Sequence, residues 1–481
     1  MRKVVLVEVA DLDLDVARAT GAPGGRDPGG RTPGRAPGPE HRSRRGWRLA
    51  AGLVVLLVAG GAIWGVRARD RAAHLAALPG MLAPLDPSPR ELWRAQMRGW
   101  GDLTAVGGDI LLYGPDFDRA PAVELLAGAT GKPRWVAPLP EIGIGSDVRC
   151  SPLGDPARST RVVCRLASAP ARLVVLDART GRRVADRAMD SDNSSVTTIG
   201  DDLVVAEVLS DGRAEVTRQD PVTGRARWTF RTAQPLRSPG VGPSWFDVSV
   251  QHGVIVAAGP VTWAFAPDGT VLGEWHLTGG DLAVEGGWRL DVSVLPDGRF
   301  AVGESGGVGL RDAQYGTVSV SDARDGFRIP GPVLQPAVDD GSAPGVLFTR
   351  PAYRGGLAAL DSATGRLLWE ARAEPWGDAL VLDARLVVVA ARRLTAFDAR
   401  SGHLLWSVDV PTGDHAQQVL TDGREILVPM FGTDRGAVLL AVDPADGRTR
   451  WTTPLPPGTS RLEPVAGRLL ALADRDVAAL G

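Results

Sequence analysis

From about residue 91 to the end, apolar and polar residues alternate in short runs, and each run stops at a turn signal. LAALD, LTAFD and LLAVD, at 357–361, 394–398 and 439–443, read as strands entering tight turns. In the first, Leu357, Ala359 and Asp361 fall on one face and Ala358 and Leu360 on the other. Each run is followed by a turn and a second strand that ends in tryptophan. Between these hairpins lie two further strand patterns, such as ALVLDA and RLVVVAAR over 379–392, or EILVPMF at 425–431. The unit is therefore four strands. One stretch breaks the alternation: 49–66 reads LAAGLVVLLVAGGAIWGV, apolar on every face.

The hairpin repeats. Copies stand at 357–369, 394–406, 439–451 and 216–228, and the copy at 123–135 keeps all but the Asp. Degenerate copies stand at 173–185, 261–273 and 318–330. Their turn glycines are Gly131, Gly181, Gly224, Gly269, Gly326, Gly365, Gly402 and Gly447, spaced by 50, 43, 45, 57, 39, 37 and 45 residues. That is the period of a four-stranded propeller blade. Four positions before the glycine comes Asp177, Asp220, Asp322, Asp361, Asp398 or Asp443. Its carboxylate is suited to accept turn N–H groups, and the glycine supplies a positive φ to close the hairpin. Four positions after it comes Trp135, Trp228, Trp369, Trp406 or Trp451, expected to bury a large ring against the neighbouring blade.

The signature A-L-D-x-x-T-G-x-x-x-W, at Asp361, Gly365 and Trp369, resembles the pyrroloquinoline-quinone-like (PQQ-like) β-propeller repeat family. The likeness runs over 91–481. It implies an all-β propeller of four-stranded blades. The chain ends in strands that stop where the next Asp and turn belong, while ELWRAQM at 91–97, with Trp93, looks like the missing outer strand. The two ends are expected to share one blade and clasp the ring. The literal count is nine units, whereas the family's habit of eight favours eight.

The family contains quinoprotein dehydrogenases and cofactor-free scaffolds similar to the outer-membrane assembly lipoprotein of the barrel-insertion machine. An enzyme of this kind is expected to need a carboxylate-rich Ca²⁺ site, an axial catalytic Asp and an adjacent cysteine pair. The chain has no adjacent pair, and its repeated aspartates are spoken for as turn residues. The resemblance therefore favours the scaffolds, with no catalytic residue, no metal ligand and no cofactor assigned; PQQ and Ca²⁺ are the cofactors to test.

The segment before the repeats divides into three. Residues 1–46 read as a disordered tail, because 21–45 is dominated by Gly, Pro and Arg and has little apolar surface to offset ordering. Residues 47–67 read as a transmembrane helix, with Trp47 and Trp64 near its ends. Residues 68–90 read as a linker. Arg42, Arg44, Arg45 and Arg48 precede the run, and Arg67, Arg69 and Arg71, diluted by Asp70, follow it. That imbalance predicts a cytoplasmic N-terminus and an extracytoplasmic propeller on a single-pass anchor in the cell membrane. A cleaved signal peptide and a buried core helix are the rival readings of the run.

Composition narrows the choice of partner. The 481 residues carry a formal charge of −2, which excludes the basic footprint of a nucleic-acid binder. Two cysteines exclude a disulfide scaffold and a four-cysteine zinc site. Cys150 and Cys164 fall on runs that pair if the intervening loop centres near Ala157, so a cross-strand disulfide and two buried thiols both remain open. His41, His74, His252, His276, His403 and His415 have no metal spacing, and DSDNSS at 190–195 lacks the Gly and Glu of a calcium loop. Tyr315, Tyr353 and Trp376 sit in polar or Gly-rich loops where aromatics serve interfaces. The reading is a membrane-anchored extracytoplasmic scaffold that binds a protein or an envelope polymer. A tethered quinoprotein dehydrogenase and an extracytoplasmic sensor are the alternatives.

Overall fold

Among the described residues, nine sheets succeed one another along the chain. The computed structural model describes residues 69–481 except 98–100, 116–120, 140–145, 169–170, 190–193, 237–245, 260, 277–288, 306–317, 322–326, 352–355, 374, 391, 411–417 and 434–435. The tail and the apolar run at 49–66 thus lie outside the described residues. Among those described, no helix is long and apolar enough to cross a membrane.

The first sheet uses strands between 102 and 138, the second 148–188, the third 195–231, the fourth 247–276 and the fifth 289–329. The sixth spans 346–371, the seventh 375–409 and the eighth 420–454. Each is an antiparallel meander, because alternating runs joined by tight turns pair with their sequence neighbours. The sixth sheet holds three strands, and Val338–Asp339 instead adds in parallel to the seventh. The ninth is composite: Thr459–Val465, Arg468–Ala473 and Asp476–Leu480 are completed by Glu91–Gln96 from the other end of the repeats. Trp93 lies opposite Ala479, and the backbones of Arg90 and Gly481 bond to each other in both directions.

This is a β-propeller. The expectation of eight units gives way to nine sheets among the described residues, since each degenerate copy builds a sheet of its own and the shared one is additional. The core is divided in the same way. One apolar cluster fills each junction, from Val123, Trp135, Val148 and Val162 between the first and second sheets to Trp93, Ile110, Leu126 and Leu470 between the ninth and first. The first strands of the ninth, first, second, third and fourth sheets lie side by side in succession, so these strands are the inner ones.

Residues 68–90, expected to be a linker, form a strap from residue 69 onward. A short helix at 69–76 leads into a segment in which Leu75, Leu78 and Met81 pack with Val338, Leu380, Val419 and Met430. Leu82 enters the next cluster with Leu420 and Leu469. The amides of Leu82 and Ala83 donate to the carbonyls of Thr421 and Gly467 at 3.0 and 2.7 Å, and the amide of Leu85 donates to Asp422 Oδ2 at 3.1 Å. Arg71 forms an ion pair with Asp383. The polar partners Asp383, Thr421, Asp422 and Gly467 lie at or beside the turns that follow the inner strands of the seventh, eighth and ninth sheets.

Candidate functional site

The repeated aspartates are fully engaged by their own turns. Asp361 Oδ1 accepts the amide and hydroxyl of Thr364 at 2.9 and 2.8 Å. Asp177 does the same with Thr180, Asp220 with Thr223 and Asp398 with Ser401. Asp443 accepts the amide of Ala445 at 2.7 Å and pairs with Arg450. These bonds favour the ionised form, so all five carboxyls are held below the usual range. The Thr180 hydroxyl is the main cause at Asp177, and the Thr223 amide at Asp220. The first sheet lacks the Asp, and Asp109 from the facing strand accepts the Gly128 amide instead. Asp322 and Gly326 lie outside the described residues.

The tryptophans join one sheet to the next. Trp93, Trp135, Trp369 and Trp406 donate their indole N–H to the carbonyls of Gly128, Ala178, Ala399 and Pro444 at 2.9, 2.8, 3.0 and 3.1 Å. Each acceptor stands three residues before the turn glycine of the following sheet, and the ring lies on that glycine. A Cβ at Gly181 would stand 2.6 Å from Trp135, and one at Gly402 would stand 2.5 Å from Trp369. The glycine therefore meets two demands, a positive φ and close approach of a ring. Trp228 reaches Pro267 and Gly269 in the same manner. At Gly365 the ring is Phe327. Trp451 faces the shared sheet, where no turn follows, and donates to Glu425 Oε2 at 2.7 Å.

One concentration of the remaining polar groups among the described residues lies at the start of the inner strands, at the opposite end from the strap. Asp102 opens the inner strand of the first sheet and stands in register with Tyr113. Arg461 of the ninth sheet reaches Asp102 at 3.8 Å, Glu463 at 3.2 Å and the Gly101 carbonyl at 3.4 Å. Arg149 pairs with Asp147 at 3.0 Å. Burial, then the charge of Asp102, pushes the Tyr113 phenol up to about 12, against the opposing pull of Arg149 and Arg461. Burial also raises the Glu463 carboxyl, with repulsion from Asp102 and Asp378 adding to it and Arg461 opposing. Asp378 is itself raised by burial, against Arg350. The result is a mouth of both charge signs with a half-buried phenol.

Sequence patterns single out none of these residues, because Asp102 and Glu463 come from opposite ends of the repeats. The one available signal is that their inner strands carry charge where neighbouring strands are apolar.

Residues 315–480 match the family model described as outer membrane protein assembly factor BamB. The repeats of this segment are PQQ-like. No curated protein matches the chain in sequence. Among solved structures, BamB from Moraxella catarrhalis is similar over 82% of this chain and 99% of its own, at 16% identity and a TM-score of 0.45. The quinohemoprotein alcohol dehydrogenase ADHIIG from Pseudomonas putida HK5 is similar over 84% of this chain and 78% of its own, at 12% identity and 0.44. Sqt1 from Saccharomyces cerevisiae is similar over 82% and 98%, at 12% and 0.42. Likeness of this depth favours no one of their functions.

Among PQQ-like proteins a quinone and a calcium ion are the ligands to consider. Among the described residues no group of three or more His, Cys, Asp or Glu side chains is placed to hold a metal ion. Cys150 and Cys164 stand opposite each other on Val148–Pro152 and Arg161–Leu166, and their sulfurs are bonded. They form a cross-strand staple and are not a pair of adjacent residues. The described residues thus present neither a metal-holding cluster nor an adjacent cysteine pair. His276 pairs with Glu274 at 2.8 Å, and Ser195 donates to Asp247. His41, His415, Tyr315 and Tyr353 lie outside the described residues.

Proposed function

We propose that the chain is a membrane-anchored, extracytoplasmic scaffold whose propeller binds a protein or envelope partner through its charged mouth. The anchor is the apolar run within 47–67, with the N-terminal tail in the cytoplasm. The PQQ-like repeats and the disulfide support an oxidising compartment and a binding role. The observation that carries the reading is the contrast between two sets of carboxylates. Those of the repeats are consumed in turns, whereas Asp102, Asp147, Glu463 and Asp378 gather with Arg149 and Arg461 on rigid strands. Groups of both signs held on stiff elements suit recognition of a complementary polar surface.

Site-specific photo-crosslinking in cells tests this. Probes beside Arg149 and Arg461 are expected to trap one reproducible partner, and Arg461→Glu to abolish that adduct. Probes on the outer strands, such as at Leu404, should not trap it. Equal adducts from both positions would overturn the role of the mouth. Titration with PQQ and Ca²⁺, read as a rise in melting temperature, tests the enzymatic alternative, since a ligand of the folded state must stabilise it.

A further inference from the structure

At the junction between the second and third sheets a cleft of about 400 Å³ opens. That volume suits a small ligand. The second sheet has Ala185 where the first, third, sixth, seventh and eighth carry tryptophan, and it is Arg187 that reaches the turn glycine, Gly224. The cleft is walled by the 153–161 loop of the second sheet and by Asp201, Asp202, Asp220 and Arg227 of the third.

The walls are fixed. The disulfide staples the base of the loop, and the Leu153 amide donates to the Arg161 carbonyl at 3.0 Å across it. Ser159 Oγ accepts from the Leu153 amide and donates to the Arg161 carbonyl, while Asp155 caps Ala157. On its far side the loop is held to the first sheet, where the Gly107 amide donates to the Pro156 carbonyl at 2.6 Å. In the third sheet Asp202 is buried and binds Arg218 and Arg227, and Asp220 is engaged by its turn.

Three groups lining the cleft are left with no hydrogen bond or ion pair among the described residues: the Asp201 carboxylate, the Arg161 guanidinium and the Thr160 hydroxyl. Asp201 sits against Gly154 on one wall and Arg161 belongs to the other, and the two charges do not pair. Apolar lining is limited to Leu153, and no aromatic ring is present for a sugar or base to stack on.

We propose that this cleft binds a zwitterionic peptide of two or three residues. Asp201 takes the ammonium group, and Arg161, with Thr160, takes the carboxylate. The proposal is independent of the charged mouth, which lies at the other end of the inner strands.

Calorimetric titration of the full-length protein in detergent tests it, with free trialanine, its N-acetyl form and its C-terminal amide as probes. Free trialanine is expected to saturate the protein, and each blocked form to bind about fivefold more weakly, the scale of an exposed ion pair. Asp201→Asn should erase the penalty for acetylation alone, and Arg161→Gln the penalty for amidation alone. Equal binding of all three peptides, no saturation by about 10 mM, or unchanged discrimination in both variants would overturn the proposal. Unchanged melting temperatures of the two variants keep a folding defect from imitating the expected result.

Discussion

Two adjoining junctions solve the same packing problem with different chemistry. Between the first and second sheets, Trp135 lies on Gly181, bonds to Ala178, and joins a cluster that includes Val123, Val148, Val162 and Cys164. Between the second and third, Arg187 approaches Gly224, and the apolar cluster is reduced to residues such as Leu153, Val163, Leu173 and Leu203. At the first of these seams a ring packs on the turn glycine within an apolar cluster; at the second a polar cleft opens. Burial of a rigid ring carries the first junction, and a flexible cation bridges the second. The difference shows that a seam without the repeat ring can be bridged by a cation from a different position in the outer strand, beside a loop stapled by a disulfide.

Four tests sharpen this comparison. Trp135→Ala should have the largest effect, about 3–5 kcal/mol, the cost of deleting a buried aromatic ring. Arg187→Met at the other seam should change stability by less than about 1 kcal/mol, because the chain stem still packs. Urea midpoints of the two variants check the ranking, and equal midpoints would remove the distinction. The glycines come next. Gly181 and Gly224 have φ of 68° and 71°, so alanine strains both backbones alike. At Gly181 the new Cβ also meets the fixed ring of Trp135, whereas at Gly224 it meets the mobile end of Arg187. Gly181→Ala is therefore expected to cost about 2–4 kcal/mol and Gly224→Ala about 1–2 kcal/mol.

Reduction of the disulfide should loosen the second seam more than the first. The sequence separation of 14 corresponds to about 3 kcal/mol of loop-closure stabilisation. Hydrogen exchange after reduction is expected to rise in the 153–161 loop before it rises around Trp135. The smallest effect is the acid response of the turns. Their carboxyls are held below the unfolded value of about 3.9. The stabilisation they give is thus complete above that pH and is lost as pH falls through the folded values. Asp361→Asn should flatten the acid limb of a stability–pH curve slightly and leave the neutral limb lower. A steeper acid limb would contradict the assignment.

The repeats were legible because each turn demands the same local solution: a carboxylate before it, a glycine within it and a ring after it. Trp93 was readable as the outer strand of a shared sheet for the same reason, since the chain end lacks what 91–97 supplies. Three things were not readable. The strap carries no blade signature: Leu75, Leu78, Leu82 and Leu85 are spaced like one face of a helix, yet only 69–76 is helical and they pack against three different sheets in turn. Arg187 escapes notice because it substitutes for a ring from a different position in its strand. The charged mouth is assembled from inner strands far apart along the chain, and only closure of the ring brings Arg461 to Asp102.

The strap also determines how the molecule responds to mechanical load. Tension applied at residue 69 does not arrive directly at Glu91–Gln96, the one strand whose loss would unlatch the ring. It is taken up first by the Arg71–Asp383 pair, then by the leucines seated against the seventh to ninth sheets, and then by the amide bonds at Leu82 and Ala83. Residues 69–85 act as strain relief, spreading a pull over three blades before it reaches the latch.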